Sequence, residues 1–144
     1  MKKILIVVVA LVGAYYATSQ PPSSVDQRSP GAQPSNAALE RAISARLAGY
    51  QVRGSGKVAR LLSDDDDGSR HQRFILQLKS GRTLLIAHNI DLAPRIIDLR
   101  PGESVSFFGE YEWNVRGGVI HWTHHDPRAQ HIDGWVEYRD KRYQ

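Results

Sequence analysis

The sequence predicts a mainly β domain: a small five-stranded, OB-like antiparallel barrel preceded by one N-terminal amphipathic helix. Three observations carry this. Five segments read as strands, and two of them, 71–78 and 105–113, alternate apolar and polar residues with a two-residue period. The first of the five is long and contains Gly54 and Gly56, which permit the bend or bulge a closing sheet needs. Only one segment, ahead of all the strands, repeats apolar residues at helical spacing. An open meander covered by that helix is the alternative. Closure is favoured because it removes free edges from strands this apolar.

The chain has 144 residues, 41% apolar and 24% charged, which suits one domain and excludes collagenous, wholly disordered and polytopic membrane classes. It begins with Lys2 and Lys3 and then an unbroken apolar run, residues 4–14. A basic start followed by about 7–15 apolar residues is the layout of a secretory signal, and the run falls short of the roughly 20 residues that span a bilayer. Residues 1–19 are therefore expected to be a signal peptide cut before Gln20, with an uncleaved N-terminal anchor as the rival. Either way the domain is expected in the periplasm or outside the cell. The absence of cysteine excludes a lipobox attachment, a disulfide and a thiolate metal site. Loss of Lys2 and Lys3 lowers the formal charge of +4 by two, so the basic balance is weak support for a polyanion partner.

Residues 20–35, QPPSSVDQRSPGAQPS, have the proline- and serine-rich composition of a flexible tether, and 36–144 read as one domain. Asn36 stands where an N-cap belongs, for a helix running to about residue 48. Leu39, Ile43 and Leu47 make its apolar stripe, and Gly49 is its expected stop. Strands are expected at 51–62, 71–78, 83–89, 105–113 and 119–124. Turn chemistry separates them: Lys79-Ser80-Gly81-Arg82, Pro101-Gly102 and the 114–118 stretch. A small closing hairpin is expected near the end, turning over Asp140-Lys141. The four aspartates Asp64–Asp67 lie in the first loop. A calcium loop starting at Ser63 would need a glutamate where Phe74 stands, so a solvated turn is expected there.

Four of the six histidines fall within 121–131, which makes this the densest chemistry in the chain. If the last barrel strand ends before the Asp126-Pro127 loop, His124, His125, Asp126 and His131 can converge on zinc or another divalent transition metal. A polar network fixing the loop is the alternative. A hydrolytic site is a second possibility: His71, Arg73, Glu110 and His121 lie on strands that the predicted hairpins bring together. His121 or His124 would act as base or ligand, Arg73 would hold an anionic substrate, and Glu110 would orient a histidine or water. That site exists only if His71, Arg73 and His121 share one face. The mixture of Tyr111, Trp113, Trp122, Arg73, Arg116 and Arg128 suggests a third use, a barrel face that binds a polyanion or an oligosaccharide by stacking. Binding is the leading expectation, and a histidine-dependent, metal-assisted phosphodiesterase or nuclease is the alternative.

Four blocks are distinctive: GSRHQRF (68–74), AHNIDLAPR (87–95), GEYEWN (109–114) and GGVIHWTHHDP (117–127). On these the chain resembles a family of small bacterial proteins known as domain of unknown function 3465, over about residues 50–144. The resemblance implies a small exported or envelope protein and supplies no activity. It implies that His71, Arg73, His88, Asn89, Asp91, His121, His124, His125 and Asp126 belong to the family pattern. His88, Asn89 and Asp91 join Arg73, Trp113 and Trp122 as candidate ligand-binding residues on that ground.

Overall fold

A computed structural model describes residues 35–144. The expected signal segment, and the tether up to residue 34, lie outside the described residues. Helix α1 spans Ala37–Ser44, and seven strands follow: β1 Tyr50–Leu61, β2 His71–Gln77, β3 Thr83–Asn89, β4 Ser104–Glu112, β5 Val119–His121, β6 Trp135–Tyr138 and β7 Lys141–Tyr143. Among the described residues no helix is long and apolar enough to cross a membrane.

Hydrogen-bonded neighbours run β1-β2-β3-β5-β4, and β4 pairs back onto β1. Five strands therefore close into an OB-like barrel, and β6 and β7 extend it from β4. Alternation along each strand decides which side chains turn inward. In β4, Val105, Phe107, Gly109 and Tyr111 are buried while Ser106, Phe108, Glu110 and Glu112 face out. Phe74, Leu76, Leu84, Ile86 and Ile120 meet them in the interior. Each such side chain contributes about 1.5–3 kcal/mol when fully removed from water. One pairing departs from the antiparallel expectation: β3 and β5 are parallel, at Leu85↔Val119 and Ile86↔Ile120.

The glycines of β1 serve close approach. A Cβ on Gly54 would lie 2.6 Å from Phe107 Cζ, and one on Gly56 would collide with the Gln77 carbonyl. The register shift in β1 sits further on, between Val58 and Arg60.

Helix α1 is four residues shorter than expected, and Asn36 does not cap it through its side chain. The Asn36 amide is used across the barrel instead: Nδ2 donates to the Ser55 carbonyl at 2.9 Å, and the Ser55 N–H donates to Oδ1 at 2.8 Å. The helix stops because Arg46 takes a left-handed conformation, φ 55°. The Arg46 N–H then donates to the Ile43 carbonyl and the Leu47 N–H to the Ala42 carbonyl, a Schellman closure three residues before Gly49. Leu39, Ala42 and Ile43 form the buried face.

Two further boundaries shift. β5 ends at His121, three residues early, because Trp122 is left-handed at φ 54°. The closing hairpin turns over Arg139 and Asp140, one residue early, with φ 50° and 59°. Two adjacent positive φ values are what a two-residue hairpin loop of the favoured hand requires.

Candidate metal centre

Strand alternation and register build the site. Glu110 and Glu112, two apart on β4, project from the same outer face. His121 on β5 stands directly opposite Glu110, and Gln51 on β1 stands opposite it on the other side. Gln51, Glu110 and His121 thus form one row across three strands. His121 Nε2 lies 3.4 Å from Glu110 Oε1 and 4.0 Å from Glu112 Oε1.

One atom in this group is anomalous. His121 Nε2 is shielded from solvent and has no hydrogen-bond partner among the described residues, although two carboxylates face it. Burial lowers the pKa of His121 against the pull of Glu110 and Glu112, and His131 and His71 add to the lowering. A shielded imidazole nitrogen facing carboxylate oxygens is a donor set suited to a cation. One ligand atom each from Glu110, Glu112 and His121 lies within 4.8 Å of the others. Zinc bonds of about 2.0–2.2 Å in a tetrahedral site set donor separations of roughly 3.3–3.6 Å, which His121 and Glu110 already meet at 3.4 Å and which Glu112, at 4.0 Å, reaches by closing on them. Two carboxylates and an imidazole suit a divalent transition ion.

His131 completes the surroundings without competing for the ion. Its Nε2–H donates to Glu110 Oε2 at 2.7 Å and its Nδ1–H to the Ile132 carbonyl at 2.9 Å. Both ring nitrogens face acceptors, an arrangement that favours the charged ring. Partial burial opposes that, but the bonds to Glu110 and Ile132 and the charges of Glu110 and Asp126 raise its pKa. The ring stacks on Trp122 at 3.9 Å and 10°. Glu110 thereby presents Oε1 to His121 while His131 fixes Oε2, as an outer partner of a metal ligand does.

The other expected metal ligands are not brought together. His124 Nδ1–H donates to the His125 carbonyl, and His125 Nδ1–H donates to Asp133 at 2.8 Å. The Asp126 carboxylate accepts the backbone N–H groups of Arg128, Gln130 and His131. These residues tie the loop after β5 to itself, and His131 is spent on Glu110.

The expected hydrolytic residues share one face. His71 and Arg73 project outward from β2, Arg73 pairs with Ala87, and Ala87 and His121 each follow the last parallel pair, Ile86 with Ile120. Arg73 is occupied, however: its Nε donates to the Ser63 carbonyl at 3.0 Å and its Nη1 lies 4.0 Å from Asp65.

The expected ligand-binding residues hold the link between β3 and β4. His88, wholly buried, donates from Nε2 to the Pro94 carbonyl and accepts from Thr123 at Nδ1. Asn89 Oδ1 accepts the N–H groups of Asp91 and Leu92. The Asp91 carboxylate accepts two bonds from Arg70, which lower its pKa. Gln72, not expected to matter, makes a two-way bond with the Ile96 backbone. Each tryptophan carries a cation or an imidazole over its ring: Arg46 on Trp113, Arg53 and Arg142 on Trp135, His131 on Trp122.

Sequence reasoning gave Glu112 no role of its own and passed over Gln51 as a site residue. The Glu-Tyr-Glu spacing on an alternating strand was the available signal for Glu112. Gln51 had none, because only the β1–β4 register places it beside Glu110.

No curated protein matches the chain. A family profile matches residues 26–144, well over half of its length. The chain therefore belongs to the family described as protein of unknown function DUF3465.

Proposed function

We propose that this OB-like domain is a metal-binding module that holds one divalent transition ion, zinc being the reference case, on Glu110, Glu112 and His121. The observation that carries the reading is the solvent-shielded His121 Nε2, which faces two carboxylates and has no hydrogen-bond partner among the described residues. Together with the signal layout of residues 1–19, this makes it an exported metal binder of the envelope or the exterior. The polyanion and oligosaccharide readings have less support, since each tryptophan ring already has a guanidinium or imidazole over it and the site row is acidic. The hydrolytic reading keeps one supporting observation, because three protein ligands leave room for a water. Nuclease and phosphodiesterase assays with and without chelator test that reading.

Calorimetric titration with zinc tests the main one. Wild-type protein should bind one ion per chain, and His121→Ala and Glu110→Gln should each weaken binding at least tenfold. His124→Ala should bind as wild type does. Equal binding by His121→Ala and wild type would remove the proposal.

A further inference from the structure

The geometry points to an exchangeable position on the bound ion, taken by water or by a small oxyanion that the Gln51 amide holds. This rests on the metal reading above and adds what the metal is open to. Gln51 stands directly across from Glu110, which stands across from His121, so all three side chains rise from one row of the barrel wall. Both amide atoms of Gln51, Nε2 and Oε1, are shielded from solvent and lack a hydrogen-bond partner among the described residues. Native proteins leave few buried polar groups unpaired, and an amide orphaned at both atoms beside an ion site calls for a ligand.

The chemistry of the amide states what that ligand must offer. Nε2 needs an acceptor and Oε1 needs a donor. A metal-bound water supplies the proton for Oε1. An oxyanion oxygen supplies the acceptor for Nε2, and a protonated oxyanion satisfies both.

The carboxylates of Glu110 and Glu112 would balance the charge of a divalent ion. Three protein ligands also fall short of the four that close a structural zinc site. The ligand class is therefore a small oxyanion in exchange with water, and inorganic phosphate is its simplest probe.

Cobalt-loaded full-length protein tests this, because the visible absorption of the ion reports its ligands. Added phosphate should change the spectrum of the wild type saturably. Gln51→Leu keeps the bulk and removes the amide. It should bind cobalt with unchanged stoichiometry, while its apparent phosphate Kd rises about tenfold, the loss of one hydrogen bond to a charged group. Gln51→Glu, which keeps the length of the side chain, should bind cobalt and lose the phosphate response by repulsion. A wild-type spectrum indifferent to phosphate, or a Gln51→Leu response equal to that of the wild type, overturns the inference and leaves the metal reading intact. Failure of the wild type to bind cobalt overturns both.

Discussion

His88 and His131 show how a single fold moves the pKa of one residue type in opposite directions. His88 lies fully inside, and burial together with the nearby His124 and His71 brings its pKa down to about 4 despite the bond to Pro94. Its folded value lies below the ordinary 6.5, so the unfolded chain binds the extra proton first. Stability contributed by neutral His88 is present in full above about pH 6.5 and is lost as pH falls toward 4. The shift corresponds to about 3 kcal/mol. Urea unfolding at pH 7 and pH 4.5 should show the wild type losing a large part of that amount. His88→Gln should be less stable at pH 7 and flatter across the interval. A wild-type curve as flat as that of His88→Gln would assign the acid sensitivity to other groups.

The elements divide into those written in local sequence and those decided by distant partners. β2 and β4 follow from alternation, and β4 is legible almost residue by residue, because each inward position meets the same core. The end of α1 was not legible. Nothing local to Arg46 announces a left-handed residue, and its guanidinium rests on Trp113, far along the chain. Asn36 was legible as a helix-start residue, while its partner Ser55 depended on how α1 docks on β1. Asn36→Ala should therefore cost about 1–2 kcal/mol through two lost hydrogen bonds rather than a lost cap. Thermal unfolding checks this, and an unchanged midpoint would mean that Leu39 and Ile43 alone dock the helix. The early end of β5 was equally hidden, since it rests on the left-handed Trp122 held by His131. Where β5 ends sets where His121 points. A Cβ on Gly109 would lie 2.5 Å from the His121 carbonyl and 2.8 Å from Ile120 Cγ2. Gly109→Ala should accordingly cost about 1–3 kcal/mol and weaken zinc binding as well. Unaltered affinity in a destabilised Gly109→Ala would show that the site tolerates a shift of β5.

At the scale of the whole molecule, barrel closure is what makes the site. β4 pairs with β1 on one side and with β5 and β6 on the other. Only that double pairing lines up Gln51, Glu110 and His121 in one row. The sequence offered Glu110 and His121 as partners on adjacent strands, and offered a different set of metal ligands in the loop after β5. His124, His125, Asp126 and His131 are close along the chain, but the loop spends their polar atoms on its own turns and on Glu110. The N-terminal segment carries the separate expectation of export. Cell fractionation with sequencing of the mature N-terminus should find the protein outside the cytoplasm, beginning at or near Gln20 if the signal is cut. A full-length cytoplasmic product would contradict export while leaving the barrel site as it is. The most direct test of the central claim is an anomalous difference map at the zinc edge from crystals grown with zinc. The account predicts one strong peak within about 2.0–2.2 Å of ligand atoms from Glu110, Glu112 and His121. A peak on His124, His125 or Asp126 instead, or none beside His121 Nε2, would contradict it.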